Sequence, residues 1–237
     1  MDIRPDPSFD DYHRRWLGAY ERNNYDNSLS GSVLTRTHDL IERDLDPDQH
    51  ISQVLEVGAG TGVHLAFVRH EFDRYVMTDH SATTLERAEI PAALRPKVEF
   101  DTVDAAKLHY PDDSFDRVIA THVLEHMQNP HAVIREWCRV LRPGGVLSLI
   151  LPCDPGLAWR IGRYFGPRKK ATGSGIDYDY WMAREHVNSI NNLVTFVRFY
   201  FDDRRERWWP LPFIGLPDIN LIYAVNARPG PREDPKS

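Results

Sequence analysis

The sequence has little of what disulfide-bonded, membrane-spanning and nucleic-acid-binding proteins need. It contains two cysteines, Cys138 and Cys153, and neither has the neighbours of a metal-binding motif, so no disulfide and no bound metal is predicted. No apolar run approaches the ~20 residues of a membrane-spanning helix, and the first residues form no apolar signal core. The net charge of -6 provides no concentrated basic face for nucleic-acid phosphates. We therefore expect a cytoplasmic protein with no metal, no nucleic-acid partner and at most peripheral membrane contact.

Hydrophobic periodicity divides the chain into a helical arm and one α/β domain. Aromatic and aliphatic side chains recur at helical spacing within residues 1–48, which are predicted to form a helical lid or substrate arm. Residues 49–228 alternate apolar strands with helices, which indicates a parallel sheet covered on both faces. Within that domain, residues 155–187 are predicted as an insertion on the substrate side. Residues 229–237 are predicted to be a disordered tail.

The boundaries of the elements follow from the same periodicity. The predicted strands cover residues 53–57, 75–78, 98–103, 115–121, 146–151, 206–209 and 219–226. The predicted helices cover residues 63–72, 81–89, 130–141, 156–165 and 188–200, the last capped by Asn188. Residues 142–145 are predicted as a turn between helix and strand, and residues 166–175 as a flexible connector.

Three segments at predicted strand ends carry the residues that suit a nucleotide-like ligand. The turn EVGAGTG, residues 56–62, follows the first strand, and its glycines let the backbone pass close to a ligand. Asp79 ends the second strand, where a carboxylate can accept hydrogen bonds from ribose hydroxyls. Asp104 and Ala105 follow the third strand and suit an adenine edge. Ligands of parallel sheets collect at this edge, so the three segments predict one site.

The glycine turn leaves a nicotinamide dinucleotide as an alternative ligand. Dinucleotide sites use the pattern G-x-G-x-x-G, whose third small residue lets the helix pack closely. Here the pattern is G-x-G-x-G, and Val63 stands where that third small residue would fall. The carboxylate of Glu56 would repel a pyrophosphate but suits the ammonium group of a methionine moiety. The turn therefore favours a different nucleoside cofactor.

Four segments in order resemble the motifs of class I S-adenosylmethionine-dependent methyltransferases. VLEVGAGTG at residues 54–62 resembles the first motif, and DDSFDRVI, VLEH and RVLRPGG, at residues 112–119, 123–126 and 139–145, are similar to later ones. The resemblance implies a Rossmann-like sheet of seven mostly parallel strands, with the last strand antiparallel. It also implies S-adenosylmethionine as cofactor, S-adenosylhomocysteine as product, and methyl transfer as the activity.

The resemblance implies roles for individual residues at this site. Glu56 would bind the methionine amino group, Asp79 the ribose, and Asp104 the adenine amino group. The cofactor-binding residues are expected to be Glu56, Gly58, Ala59, Gly60, Asp79, His80, Asp104, Ala105 and Thr121. His122 and His186 are candidate catalytic bases, because histidine titrates near neutral pH. Either histidine could instead only shape the cleft, since methyl transfer to a ready nucleophile needs no base.

Segments outside the cofactor motifs are expected to choose the methyl acceptor. The predicted substrate-side residues are Tyr20, Tyr25, His122, Trp159, Arg163 and Tyr178. Aromatics beside a basic cluster favour an anionic or amphiphilic acceptor, which is expected to be a small molecule, glycan or glycolipid that is O- or N-methylated. The alternatives are that these aromatics belong to the core, and that the protein is a non-catalytic cofactor-binding scaffold. The acceptor atom and the oligomeric state stay open.

Overall fold

The computed structural model of the protein describes residues 6, 8, 37–165, 167–173 and 177–230. The lid predicted for residues 1–48, with Tyr20 and Tyr25, therefore lies mostly outside the described residues, as does the tail from residue 231. In the part of the chain that is described, no helix is long and apolar enough to cross a membrane.

Seven strands form one sheet. They are β1 (Gln53–Val57), β2 (Arg74–Asp79), β3 (Val98–Thr102), β4 (Phe115–Thr121), β5 (Leu141–Pro152), β6 (Asp203–Trp209) and β7 (Ile222–Arg228). Their order is β3-β2-β1-β4-β5-β7-β6, with parallel pairing from β3 through β5 and antiparallel pairing of β7 with both neighbours. The predicted seven-stranded, mostly parallel sheet with an antiparallel last strand is confirmed. Because the order reverses between β1 and β4, a crevice opens outside their carboxyl ends.

Helices cover both faces of the sheet. Among the described residues the α-helices are α1 (Asp39–Glu42), α2 (Ala82–Leu85), α3 (Pro130–Val140), α4 (Leu157–Phe165), α5 (Pro167–Gly173), α6 (Tyr178–Glu185) and α7 (Ile190–Tyr200). Leu55 and Val57 of β1 pack into one buried cluster with residues of α3 and α7. Val54 packs into a second cluster with Ile41 and Leu85, which lie in α1 and α2. The alternation along β1 shows that both faces are buried, as the apolar strands predict.

Two predicted helices are shorter in the structure than the sequence indicates. The helix expected over residues 63–72 is a 3-10 helix over Val63–Phe67, and Val68 is already extended. Tertiary contacts override the helical pattern there, because the amide of Ile51 bonds the carbonyl of Glu71 and His70 is drawn to a buried arginine. The helix expected over residues 81–89 is the single turn of α2, capped by Ser81.

Three other boundaries were wrong for local reasons. Residues 142–145 are not a turn but a bulge within β5, whose pairing with β4 shifts between Leu141 and Val146. The predicted connector contains α5, which buries Ala171 against the tyrosine and tryptophan of α6. The N-cap of α7 is Ser189, which accepts a hydrogen bond from the amide of Asn192. The side chain of Asn188 instead donates to the carbonyl of Met127 at 2.6 Å.

A buried charged network joins β4 to α1 beneath the sheet. Arg117 is fully buried, and its guanidinium donates to Glu42 at 2.6 Å and to the Ser148 hydroxyl at 3.0 Å, and lies 2.9 Å from His70 Nε2. Glu42 also contacts His64 at 3.1 Å. Burial alone would raise the pKa of Glu42, but Arg117 and the hydrogen bonds hold it well below its usual range. The pair is therefore ionised in the folded protein.

Candidate cofactor and acceptor site

The glycine turn after β1 combines two tight packing contacts with one open position. Gly58, Gly60 and Gly62 all have positive φ, at 67°, 56° and 79°. A Cβ on Gly58 would lie 2.4 Å from Val123 Cγ2, and one on Gly62 would lie 2.5 Å from Met77 Cε. A Cβ on Gly60 would meet no described atom within 4 Å. The turn therefore exposes its backbone to the crevice at Gly60.

Asp79, at the carboxyl end of β2, is tied to this turn. One carboxylate oxygen accepts from the Gly60 amide at 3.1 Å, and the other accepts from the Ser81 amide at 2.9 Å. Burial would raise the pKa of Asp79, but the hydrogen bond with His80 and those two amides lower it. A carboxylate has about four acceptor positions, and the contacts with Gly60, Ser81 and His80 use three of them, so an ionised Asp79 can still accept one hydrogen bond from a ligand. Since Ser81 caps α2, Asp79 is not needed as the helix cap.

Glu56 lies deeper than its predicted role requires. Its side chain is buried in β1, and it accepts a hydrogen bond from the Tyr75 hydroxyl at 2.7 Å. Burial raises the pKa of the Glu56 carboxyl, partly opposed by His64 and by that hydrogen bond. The contact with Tyr75 gives Glu56 a structural role. Binding of an amino group by Glu56 stays a prediction.

The loop after β3 is fixed at the far side of the crevice. Asp104 is exposed, and one of its carboxylate oxygens accepts from the Ala106 amide at 2.8 Å. The carbonyl of Ala105 accepts from the indole of Trp137, the large buried side chain of α3, at 2.9 Å. The glycine turn thus lies at the carboxyl end of β1, Asp79 at that of β2 and Asp104 at that of β3, as the sequence predicts.

β4 ends at Thr121, and the strained residue after it is His122. His122 has a φ of 58°, which is uncommon for a non-glycine residue, and its amide donates to the Ile150 carbonyl at 2.9 Å. Burial, then the neighbouring His186 and His126, lower the pKa of His122 to about 3. Its Nε2 has no hydrogen-bond partner among the described residues. A neutral imidazole with so low a pKa is a poor proton acceptor but a competent hydrogen-bond partner.

The insertion brings a second polar cluster against the carboxyl ends of β4 and β5. Asp154 Oδ2 accepts from Arg163 at 2.8 Å and lies 2.8 Å from His186 Nδ1. The Arg163 guanidinium stacks on Tyr178, 5.3 Å from the ring centroid. Three predicted residues, Arg163, Tyr178 and His186, are therefore brought together, with Asp154, which the sequence did not single out.

Trp159, another predicted substrate-side residue, packs on the hydrophobic cluster that contains Ile222 and Ala224, and its indole also helps to lower the pKa of Asp154. Its aromatic ring is thus partly a core side chain, which was the alternative interpretation of the sequence. The sequence also missed Glu125, a buried carboxyl two residues beyond Val123. Burial raises the pKa of Glu125 to about 8. Nothing in the local pattern of VLEH distinguishes a buried glutamate from an exposed one.

Comparison with known proteins agrees with this geometry. Residues 55–149 match the family model of a methyltransferase domain. The chain is 37% identical over 175 residues to the rice 2-methyl-6-phytyl-1,4-hydroquinone methyltransferase 1, covering 72% of this chain and 52% of the relative. It is 36% identical to the phosphatidylethanolamine N-methyltransferase of Cereibacter sphaeroides, over 41% of this chain and 49% of the relative. The chain thus spans about half the length of these curated relatives.

A solved structure supports the fold. The S-adenosylmethionine-dependent methyltransferase of Thermotoga maritima superposes with a TM-score of 0.57 at 16% identity, covering 94% of this chain and 97% of that one. At this identity the likeness shows the fold alone. The ordered motifs, the strand order and the family model agree with one another, and they disfavour the nicotinamide alternative. The chain therefore contains a methyltransferase domain of the class I, S-adenosylmethionine-dependent family.

Proposed function

We propose that the protein binds S-adenosylmethionine in the crevice at the ends of β1, β2 and β3 and methylates an oxygen or nitrogen of a small-molecule acceptor. The observation that carries the proposal is the open left-handed backbone at Gly60, held by the ionised carboxylate of Asp79. An elongated nucleoside ligand fits this arrangement, because it needs close backbone approach and a hydroxyl acceptor at neighbouring strand ends. When bound, the cofactor supplies a methyl group already activated by a sulfonium.

The residues of this chain contribute mainly by positioning the cofactor and the acceptor, and less by acid–base chemistry. Gly60 and Asp79 would hold the ribose side, and the ordered Asp104–Ala105 loop would hold the adenine side. Transfer of an activated methyl group depends mainly on aligning the acceptor atom. His122 lies at the end of β4, and its Nε2 has no hydrogen-bond partner in the described part of the chain. We therefore propose that it orients the methyl acceptor rather than removing a proton from it. A catalytic role for His186 stays a prediction.

We further propose that the acceptor is amphiphilic. Helix α4 exposes Leu157, Ile161, Tyr164 and Phe165, and Arg160 lies on the same helix. Its first turn is fastened to the loop before β7, since Leu157 and Ala158 donate to Asp218 at 3.1 and 2.8 Å. That loop adds Phe213, which is 98% exposed. An apolar surface with arginines beside it suits an acceptor with an apolar chain and an anionic or polar head.

The names of the relatives support this class of acceptor, since one acts on a phytyl hydroquinone and another on phosphatidylethanolamine. A glycolipid would present the same combination of a polar head and an apolar chain, whereas a glycan would present only the polar part. A cytoplasmic location is part of the same proposal. Binding of a soluble, purely polar acceptor would not need the exposed face of α4.

Asp79→Ala tests the cofactor site. Removing the carboxylate is expected to weaken S-adenosylhomocysteine binding ten- to hundredfold, because a charge-assisted hydrogen bond contributes about 1.5–3 kcal/mol. The measurement is calorimetric titration of the purified protein. The matched control is Asp73→Ala, which removes an exposed carboxylate just before the amino end of the same strand and should leave the affinity unchanged. Absence of binding to folded wild-type protein would overturn the proposed function.

Ile161→Gln tests the amphiphilic acceptor. Glutamine keeps the helix propensity of α4 but removes half-exposed apolar surface. We expect the KM for a long-chain quinol or phospholipid acceptor to rise at least fivefold, with S-adenosylhomocysteine affinity unchanged. Phe199→Gln removes an even more exposed apolar side chain from α7 and should have no effect. An equal KM in both variants would contradict a role for α4 in acceptor binding.

A further inference from the structure

Three potential metal ligands meet beside the acceptor end of the crevice. Glu125 and His126 belong to the 3-10 helix Leu124–His126 that follows β4, and His186 directly follows α6. One ligand atom of each lies within 4.8 Å of the other two. Two distant segments of the chain therefore converge on one small space, which the sequence had predicted to hold no metal.

Each of the two histidines has its Nδ1 against an oxygen acceptor, which leaves its Nε2 as the nitrogen available to a metal ion. Nδ1 of His126 lies 2.9 Å from the Glu185 carbonyl oxygen, and Nδ1 of His186 lies 2.8 Å from Asp154 Oδ2. Carbonyl and carboxylate oxygens only accept, so each Nδ1 carries a hydrogen, and in the neutral imidazole the lone pair then belongs to Nε2. Metal-binding histidines are oriented in this way, by a carboxylate or a carbonyl on the nitrogen that does not bind the metal.

Glu125 supplies an unsatisfied acceptor at the same place. Its side chain is 2% exposed, and its Oε2 has no hydrogen-bond partner in the described part of the chain. Its Oε1 lies 3.9 Å from His126 Nε2 and 3.8 Å from His122 Nδ1, too far for hydrogen bonds. A buried carboxyl oxygen without a hydrogen-bond partner, as Oε2 is among the described residues, is unfavourable. A cation between Glu125 and the two imidazoles would remove that penalty.

We propose that Glu125, His126 and His186 bind one divalent transition-metal ion, with open coordination positions for water or an oxygen of the acceptor. Two imidazoles and one carboxylate suit zinc, manganese, cobalt or iron, whereas magnesium and calcium prefer all-oxygen sites. Ligand bonds of about 2.0–2.2 Å place the ligand atoms about 3.4 Å apart. The side chain of His126, which is partly exposed, can rotate to close the remaining gap.

The binding of metal is independent of the proposed function, and only its role in orienting the acceptor rests on it. Asp154 is a positioning residue in this arrangement, because it fixes the His186 ring and is itself held by Arg163 at 2.8 Å. The site lies at the end of β4, next to His122, on the side of the crevice that the acceptor must enter. A metal here would therefore contact the acceptor rather than the adenosine end of the cofactor.

Titration of the chelator-treated full chain with Co²⁺ tests the site by its visible absorption. We expect one equivalent to bind to the wild type, and Glu125→Gln and His186→Gln to lose at least tenfold in affinity. Asp154→Asn should lose less, and its affinity for Co²⁺ should still fall. His50→Gln, which alters an exposed histidine at the opposite end of the sheet, should bind Co²⁺ as the wild type does.

Parallel titration of every variant with S-adenosylhomocysteine separates folding and cofactor binding from metal binding. Variants that bind S-adenosylhomocysteine normally but lose Co²⁺ support the site. Co²⁺ binding without S-adenosylhomocysteine binding would uphold the metal site while the proposed function fails. The proposal is overturned if the folded wild type binds no Co²⁺, or if Glu125→Gln and His186→Gln bind it as tightly as His50→Gln does.

Discussion

Arg117→Met is expected to lower the free energy of unfolding by about 3–5 kcal/mol, because it leaves the Glu42 carboxylate buried without its guanidinium partner. Arg117 and Glu42 are both fully buried, and Arg117 also bonds Ser148 and His70. Because Arg117 lies outside the crevice, the variant should lose stability rather than affinity for S-adenosylhomocysteine. Urea denaturation at neutral pH, followed by circular dichroism, measures it.

Two further variants test whether the stability lost in Arg117→Met comes from the unpaired Glu42 carboxylate. Arg198→Met breaks a partly exposed ion pair with Glu206, which keeps Arg204 as a second partner, and should cost less than about 1 kcal/mol. The double variant Arg117→Met/Glu42→Leu removes both buried charges and should recover part of the loss, since the penalty lies in the unpaired carboxylate. If Arg117→Met costs no more than Arg198→Met, the network is not the buried ion pair described above.

Gly60→Ala is expected to weaken S-adenosylhomocysteine binding at least hundredfold while the protein stays folded. The added methyl meets no described protein atom within 4 Å, so it would project into the space that we propose for the cofactor. The left-handed backbone, with a φ of 56°, adds a stability cost of about 1–2 kcal/mol. Calorimetric titration and a thermal melt together separate the two effects.

Gly144→Ala is the matched control for Gly60→Ala. Gly144 has a φ of 80°, and a Cβ there also meets no described atom within 4 Å. It lies in the bulge before the pairing of Val146, near the amino ends of the strands and away from the crevice. We expect a similar loss of stability with unchanged affinity. Equal affinities of the two variants for S-adenosylhomocysteine would contradict a cofactor site at Gly60.

The sequence predicted the sheet and the glycine turn well because their signals are local. β1 and β4 match their predicted ranges, β5 begins five residues earlier than predicted, and the other strands differ by one to three residues at their ends. Apolar runs bounded by turn residues define such strands without knowledge of their partners. Asp79 could be placed at a strand end for the same reason. Its contact with the Gly60 amide follows from parallel pairing of β1 with β2.

The parts that could not be predicted depend on partners far away in the chain. In the sequence, Arg117 looks like an ordinary polar residue of a strand. Its partner Glu42 lies within residues 1–48, which were predicted to form a lid. Glu125 and His186 likewise carry no local signal that they meet, although His186 was named from its sequence context. The early end of the helix predicted over residues 63–72 has the same origin, since His70 is held by Arg117.

Amide hydrogen exchange of the wild-type protein, with and without S-adenosylhomocysteine, tests most directly whether the cofactor binds in this crevice. Binding should slow exchange in segments 56–62, 79–81 and 103–106, which stand at the carboxyl ends of β1, β2 and β3. The edge strand β6 should be unchanged. Protection confined to other segments, or no protection at saturating ligand, would contradict a cofactor site in this crevice.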